Sequence, residues 1–526
     1  MENDIAFIFS SCRQFLEPEQ LSLLAGASAD EVPQRLEQFV SAGRLAAFVP
    51  DLARAELAIE RLQQCGEPVS VSVEQLQVNP QLEVLPVNWQ PLLPVLRGEQ
   101  LDLQQAEQFL LFWRHPDTGK VCRAVATATD LLALKIVVEG YDPQDVAERN
   151  GCPVGDVDRA LEQAAGKGLL LAPPSTLRRT AEDFTIPDGT PQRFLQAEAF
   201  TLQWHITHRC DLHCRHCYDR SRREDVSLSQ GLDILDQMRR FCLDHHVYGQ
   251  VSFSGGNPFM HPNFFSLCQA AHDRNLNVAV LGNPVSEADL DRLLQIVRPV
   301  FYQVSLEGLQ AHNDQIRGAG NFANVFAFLD LLKKKKIYSM VMLTLTQANM
   351  GQVLPLAEQL RERVDLFTFN RLSMVGEGAS LESPRPEDYR TFVAEYLQAQ
   401  RNNPVMALKD SLLNIEREKQ QLGLFGGCTG FGCGAAFNFV SLLPDGQVHA
   451  CRKFPSPIGD INQQSLQDIY ASAAAQAYRR GCRECDGCRL RVTCGGCLAV
   501  AHGYGLDPLQ QKDPACFIEK ESVGLS

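Results

Sequence analysis

Residues 200–218 read FTLQWHITHRCDLHCRHCY. An apolar, strand-like run, FTLQWHIT, leads directly into Cys210, Cys214 and Cys217 in C-x3-C-x2-C spacing. Three thiolates within eight residues are one short of a closed site. Four cysteines would fill a structural zinc site or an ordinary [4Fe–4S] cluster. Three leave one iron open to a non-protein ligand, so something can bind there and react. A zinc site remains the competing reading, because C-x2-C pairs are common in zinc folds and His213 and His216 stand nearby.

Outward from this stretch, a strand–helix alternation runs over residues 199–403. Strand-like runs are FTLQWHIT, GQVSFSGG, NVAVLGN, FYQVSLEG, SMVMLTLT and LFTFNRLS, with amphipathic helices such as LSQGLDILDQMRRFCLDH between them. Six βα units with apolar strands predict an α/β fold whose parallel sheet curls into a partial (βα)6, TIM-like barrel. Such barrels carry their chemistry at the C-terminal strand ends. The three cysteines, SGGNP, GNP and SLEG fall at the ends of the first four strands. The run Lys333 to Lys336 reads as a solvated helix C-terminus matched to its dipole.

The C-x3-C-x2-C stretch after the first barrel strand resembles the radical S-adenosylmethionine (SAM) enzymes, and the resemblance extends over the whole barrel. It implies that Cys210, Cys214 and Cys217 hold a [4Fe–4S] cluster whose open iron is chelated by SAM. Reductive cleavage of SAM would then give a 5′-deoxyadenosyl radical able to abstract hydrogen from unactivated carbon. Gly255, Gly256 and Asn257 occupy the family's glycine-glycine-glutamate position. There the glycines allow close backbone approach, and the third residue meets the SAM ammonium. Asn257 departs from the family's Glu and offers only a neutral acceptor. Ser305 in VSLEG and Arg317 in IRGAG match further SAM contacts, and His216 matches a planar residue near the adenine.

Eighteen cysteines are present, and nine of them lie from Cys428 to Cys516. In a reducing compartment such clustering means metal rather than disulfide. The ordered spacings of Cys433, Cys451, Cys485, Cys488, Cys494, Cys497 and Cys516 resemble the SPASM domain. That resemblance implies two auxiliary [4Fe–4S] clusters, making three clusters in all. One would use Cys428, Cys433, Cys451 and Cys497; the other, Cys485, Cys488, Cys494 and Cys516. A pair of zinc knuckles is the competing reading. Cys482 is left over and reads as a free thiol. Both auxiliary clusters would be closed to substrate, which suits electron relay.

Upstream, residues 1–86 read as a helical region with no reactive constellation. Residues 87–173 carry two strand-like runs, EQFLLFWR and KVCRAVAT, and three helical segments, which predicts a winged-helix module. Asp142 is the expected N-cap of the middle helix and Gly151 its end. The presumed recognition helix, GDVDRALEQAAG, holds three acids and one Arg. Phosphate would be repelled, so a peptide-binding use is expected, with a leader strand added to the sheet edge. In this the module resembles PqqD-like precursor-recognition elements. Residues 174–198 read as a linker, and 404–526 as the auxiliary iron–sulfur domain.

A formal net charge of -14 over 526 residues argues against a nucleic-acid surface, and no apolar run suits a bilayer. The chain is therefore expected to be cytoplasmic. Its expected partners are a precursor peptide with its leader and an external electron donor such as flavodoxin or ferredoxin. The function implied is a radical SAM/SPASM maturase of a ribosomally made peptide, forming a thioether or another oxidative modification, with selenobiotic-type maturases as the subfamily. Three alternatives stand beside it: a haem-pathway SPASM enzyme, a sulfatase-type maturase, and a non-catalytic iron–sulfur sensor. Against the second, Arg452 and Lys453 follow Cys451 where sulfatase-type maturases carry Asp. Against the third stand the SAM-site stretches.

Overall fold

A computed structural model describes residues 8–64 and 73–518. Contacts divide the chain into two units, Met1–Pro174 and Ser175–Ser526. In the first unit β1 (Gln77–Val78) pairs with β5 (Leu170–Leu171). β2 (Leu82–Gln90), β3 (Gln104–Arg114) and β4 (Val121–Val125) form an antiparallel sheet in that order.

In the run FLLFW of β3, Phe109 is exposed while the next four residues are buried, covered on both faces of the strand. Leu110 and Phe112 pack with Leu36 and Leu52 of the upstream helices. Leu111 and Trp113 pack with Ala133, Leu134 and Ala164 of the helices that follow. The boundary expected at residue 86 therefore falls inside β2, and the helical region shares a core with the winged module. β2 escapes a sequence reading because Pro86 interrupts it. The structure tolerates that proline because β2 is an edge strand, where a missing N–H breaks no ladder.

The three helices after the sheet are Ala128–Glu139, Pro143–Asn150 and Val154–Gly166. Asp142 caps the middle one, its Oδ1 accepting from Gln144 N–H at 2.7 Å. Gly151 ends that helix with φ of 61°, in the left-handed region where a Cβ is costly.

The second unit contains one nine-stranded sheet. Its six barrel strands are β6 (Ala199–Thr207), β7 (Tyr248–Gly255), β8 (Asn277–Leu281), β9 (Tyr302–Ser305), β10 (Ser339–Leu345) and β11 (Leu366–Arg371). All pair in parallel, in chain order. On β6 the alternation is strict. Phe200, Leu202, Trp204 and Ile206 are fully buried and share a core with Ile234, Leu235 and Met238 of the helix Leu228–Asp244. His205 and Thr207 face the other way, into the barrel.

Three more strands, β12 (Phe439–Leu442), β13 (Gln447–His449) and β14 (Pro457–Asp460), extend this sheet beyond β6. β12 runs parallel to β6, and β13 and β14 are antiparallel. The cysteine-rich segment is thus continuous with the barrel sheet. The stretch expected as a linker is packed rather than free. Arg179 is buried, donates to Cys433 O at 2.8 Å and to Arg479 O at 2.7 Å, and lies 4.0 Å from the Phe437 ring centroid. Among the described residues no helix is long and apolar enough to cross a membrane.

Candidate active site and iron–sulfur centres

The C-terminal ends of the parallel strands enclose a cavity of about 1110 Å³. Cys210, Cys214, Cys217, Gly255, Gly256, Ser305 and Arg317 all line it, so the structure brings these sequence-predicted residues together. The cysteine loop is held by backbone bonds from several elements. Arg215 N–H donates to Ile316 O at 3.0 Å, and Glu377 N–H donates to Cys217 O at 2.9 Å. Arg220 donates to Cys214 O at 2.8 Å.

The two glycines serve this loop. Gly256 N–H donates to Thr207 O at 2.9 Å and Asn257 N–H to Arg209 O at 2.8 Å. A Cβ at Gly256 would stand 2.1 Å from Arg209 O. The approach that excludes a side chain is therefore made by the strand leading into Cys210.

Each thiol faces a donor or a cation, or is buried beside one. Asn283 Nδ2 and Leu212 N–H lie 3.5 Å from Cys210 Sγ, and Arg317 Nη1 lies 3.8 Å from Cys214 Sγ. Burial pushes the Cys214 pKa up, opposed by Arg317. Burial also raises Cys217, opposed by its hydrogen bond with Asp219 and by Arg220.

Arg317 is not a surface residue. Its Nε and Nη2 donate to Glu307 Oε1 at 2.9 and 2.6 Å. Glu307 is buried, and its Oε2 accepts from Thr344 N–H at 2.8 Å. Burial would raise the Glu307 pKa, but His216 and Arg317 more than offset it and hold it low. His216 Nε2 lies 3.3 Å from the same carboxylate, and the imidazole lines the cavity. Sequence reasoning missed Glu307. Its one signal was an acid between Leu306 and Gly308 at a strand end.

Asn257 stands differently from the expectation. It is buried, and its Oδ1 accepts from Phe259 N–H at 3.3 Å, capping a short helical turn. Its Nδ2 donates to Asp211 Oδ1 at 3.1 Å. Asn283 Nδ2 donates to the same oxygen at 2.6 Å. Asp211, inside the cysteine loop, is thus the carboxylate beside this position.

The auxiliary cysteines separate into two groups. Burial raises Cys433 to about 11 and Cys451 to about 12. Cys433 feels Cys497 and Cys428, and Cys451 feels Cys433 and Cys497. Cys485, Cys488, Cys494 and Cys516 surround a small cavity of about 20 Å³, with Leu412 and Ile415. Cys482, buried, hydrogen-bonds with Cys485. Buried thiols held protonated are what a metal centre converts to thiolates, since the metal charge replaces the proton. Among the described residues no three His, Cys, Asp or Glu side chains converge closely enough to share one ion.

The described residues thus combine a parallel-stranded barrel, three cysteines at its strand-end cavity and a cysteine-rich extension. The radical SAM superfamily model matches residues 204–360, and the model of an iron–sulfur cluster-binding domain, SPASM, matches residues 433–497. The chain is 27% identical over 312 residues to the antilisterial bacteriocin subtilosin biosynthesis protein AlbA of Bacillus subtilis. That match covers 56% of this chain and 65% of AlbA, just under two thirds of the relative. An AdoMet-dependent heme synthase of Methanosarcina barkeri is 24% identical over 341 residues, covering 60% of this chain and 95% of that protein. Streptococcus suis SuiB bound to precursor peptide SuiA superposes with a TM-score of 0.51 at 16% identity, covering 78% of this chain and 96% of that one.

Proposed function

We propose that this chain is a radical SAM/SPASM maturase that modifies a ribosomally made precursor peptide. The observation that carries the reading is the convergence of Cys210, Cys214 and Cys217 on the strand-end cavity, in a chain that also bears a strand-edged N-terminal unit. Cys210, Cys214 and Cys217 hold the SAM-binding [4Fe–4S] cluster. With SAM bound, that cluster supplies reductive C–S cleavage and hydrogen abstraction from unactivated carbon, chemistry that acid–base side chains do not provide.

The chain's own residues orient this chemistry. Asn283 and Arg317 direct donors at the thiolates of Cys210 and Cys214. Ser305, with Arg317 held by Glu307, lines the side where the SAM carboxylate is bound. Asn257 is committed to Phe259 and Asp211, so Asp211 would supply the carboxylate charge toward the SAM ammonium that Asn257 lacks. Cys428, Cys433, Cys451 and Cys497 hold one auxiliary cluster. Cys485, Cys488, Cys494 and Cys516 hold the other. An external flavodoxin or ferredoxin delivers the electron in a reducing, cytoplasmic setting.

The leader binds the first unit. Among the described residues β4 pairs with β3 alone, leaving an edge for a leader strand. Val125 on β4 and Val138 on the next helix are exposed and give that strand apolar contacts. Haem-pathway chemistry needs no such unit. The likeness to SuiB also spans more residues than the second unit holds, so it reaches into the first.

Two measurements test the reading. Anaerobically reconstituted protein with dithionite and SAM releases 5′-deoxyadenosine, and Cys214→Ala abolishes the release while keeping roughly eight of about twelve irons. Retained cleavage in that variant sinks the site assignment. A short precursor encoded beside this gene binds through its leader. If the leaderless core binds equally well, the role of the first unit is wrong.

A further inference from the structure

The protein carries a net charge of -14, yet its cavity is lined by eight Lys or Arg side chains and only three Asp or Glu. Most of these cations are already answered. Arg317 pairs with Glu307, Arg371 with Asp410 and Asp513, Arg223 with Asp445, Arg209 with Asp225, and Arg220 with Glu377. Among the described residues Arg222, Arg452 and Lys453 have no carboxylate partner, and of these Arg452 hydrogen-bonds from Nη1 to Ser254 Oγ at 3.3 Å.

Its placement is specific. Ser254 directly precedes Gly255 and Gly256 at the end of β7, so the guanidinium reaches across to the barrel mouth. The nearby His205 is buried, and burial, followed by the charge of Arg452, lowers it to about 3, so it is neutral there. The Nζ of the next residue, Lys453, donates to Arg371 O at 2.9 Å and lies 4.0 Å from Cys497 Sγ. Lys453 also lines the cavity, and Arg452 itself lies near Cys451 and Cys428. A guanidinium with no carboxylate partner inside a cavity is short of acceptors, and its planar fork matches a carboxylate.

We propose that Arg452 is the subsite for a carboxylate on the residue that enters the barrel, so that the peptide segment acted upon presents an aspartate or glutamate side chain. The assignment rests on the maturase reading above. Two carboxylates share this chemistry, that of the substrate and that of SAM. Ser305 and Arg317, which serve SAM in that reading, belong to β9 and the helix after it, whereas Arg452 bonds β7.

The test uses holoenzyme with SAM bound and two leaderless probes, N-acetyl-glutamate N-methylamide and its glutamine counterpart. The wild type should bind the glutamate probe about 10- to 100-fold more tightly, the range of a charge-assisted hydrogen bond. Arg452→Gln should erase the preference and Arg452→Lys should keep part of it, with unchanged iron content showing that the clusters remain. SAM affinity is measured alongside. No preference in the wild type overturns the proposal without recourse to any variant. So does a preference that survives Arg452→Gln, or a loss of SAM affinity by the same factor as the preference, which would assign the arginine to SAM. Because the probes carry no leader, failure of leader binding refutes the maturase reading and leaves this result intact.

Discussion

At residue 257 the resemblance leads one to look for a carboxylate and finds an amide. That amide is bonded to a neighbouring carboxylate, Asp211. Asn257 Nδ2 donates to Asp211, so a Glu at 257 would face a second carboxylate across one hydrogen bond, and like charges there repel. The pair Asp211 and Asn257 reads as the family's acid moved by one contact. Asp211→Asn should therefore weaken SAM binding about 10-fold or more, measured by equilibrium dialysis on holoenzyme. Asn257→Glu introduced into the Asp211→Asn background should restore it, and failure to restore shows that Asp211 acts elsewhere. The thiols at 210, 214 and 217 were legible from spacing alone. Asp211, Glu307, Asn283 and Arg452 were not, because each acquires its role from a partner distant in sequence.

Among the elements, the glycine pair at the end of β7 and the helix caps of the first unit carry the local logic. A methyl at Gly256 would collide with Arg209 O, the carbonyl just before Cys210. Gly256→Ala should thus displace the cysteine loop and remove about four of twelve irons, read by iron analysis, while the auxiliary signals persist. In the first unit, Thr127 and Asp130 cap the helix Ala128–Glu139 reciprocally, and Lys167 Nζ lies 2.6 Å from Asp130 Oδ1. Burial would raise the Asp130 pKa, but Lys167 and Thr127 outweigh it and hold it low. A depressed carboxylate stabilises the fold above its unfolded pKa of about 3.9, and that stability is lost as pH falls through the folded value. Asp130→Asn should cost the unit about 1 kcal/mol at neutral pH and flatten the acid limb of its unfolding curve.

On the scale of the whole molecule, the second unit is one sheet with one main core despite its two domain-type matches. β12 pairs with β6, so the cysteine-rich segment is tied to the strand that launches the first cysteine loop. At the other edge, Arg371 at the end of β11 is buried between Asp410 and Asp513, at 2.8 and 2.5 Å. Asp513 also accepts from Cys497 N–H at 2.9 Å, joining the ion pair to an auxiliary ligand. Breaking a buried pair costs about 3–5 kcal/mol. Asp513→Asn should lower the melting transition of the second unit and loosen the cluster at Cys497, seen as earlier iron release on chelator titration. The transition of the first unit should stay in place, and movement of both together would refute the division into two units.

Apolar strand runs, amphipathic helix faces and cysteine spacing are local properties, and they made the barrel and the three-cysteine loop legible from the sequence alone, while the grouping of the auxiliary cysteines is what the family resemblance implies. Only the tertiary structure decided that β2 passes through the expected boundary at 86, because Pro86 is harmless at an edge. It alone showed that Arg179 in the expected linker is buried against Cys433. It alone set Asp211 beside Asn257, Glu307 beneath Arg317, and Arg452 across from Ser254. Electrostatic partners are chosen by distance in space, and spacing along the chain does not encode which charges meet once the strands have paired.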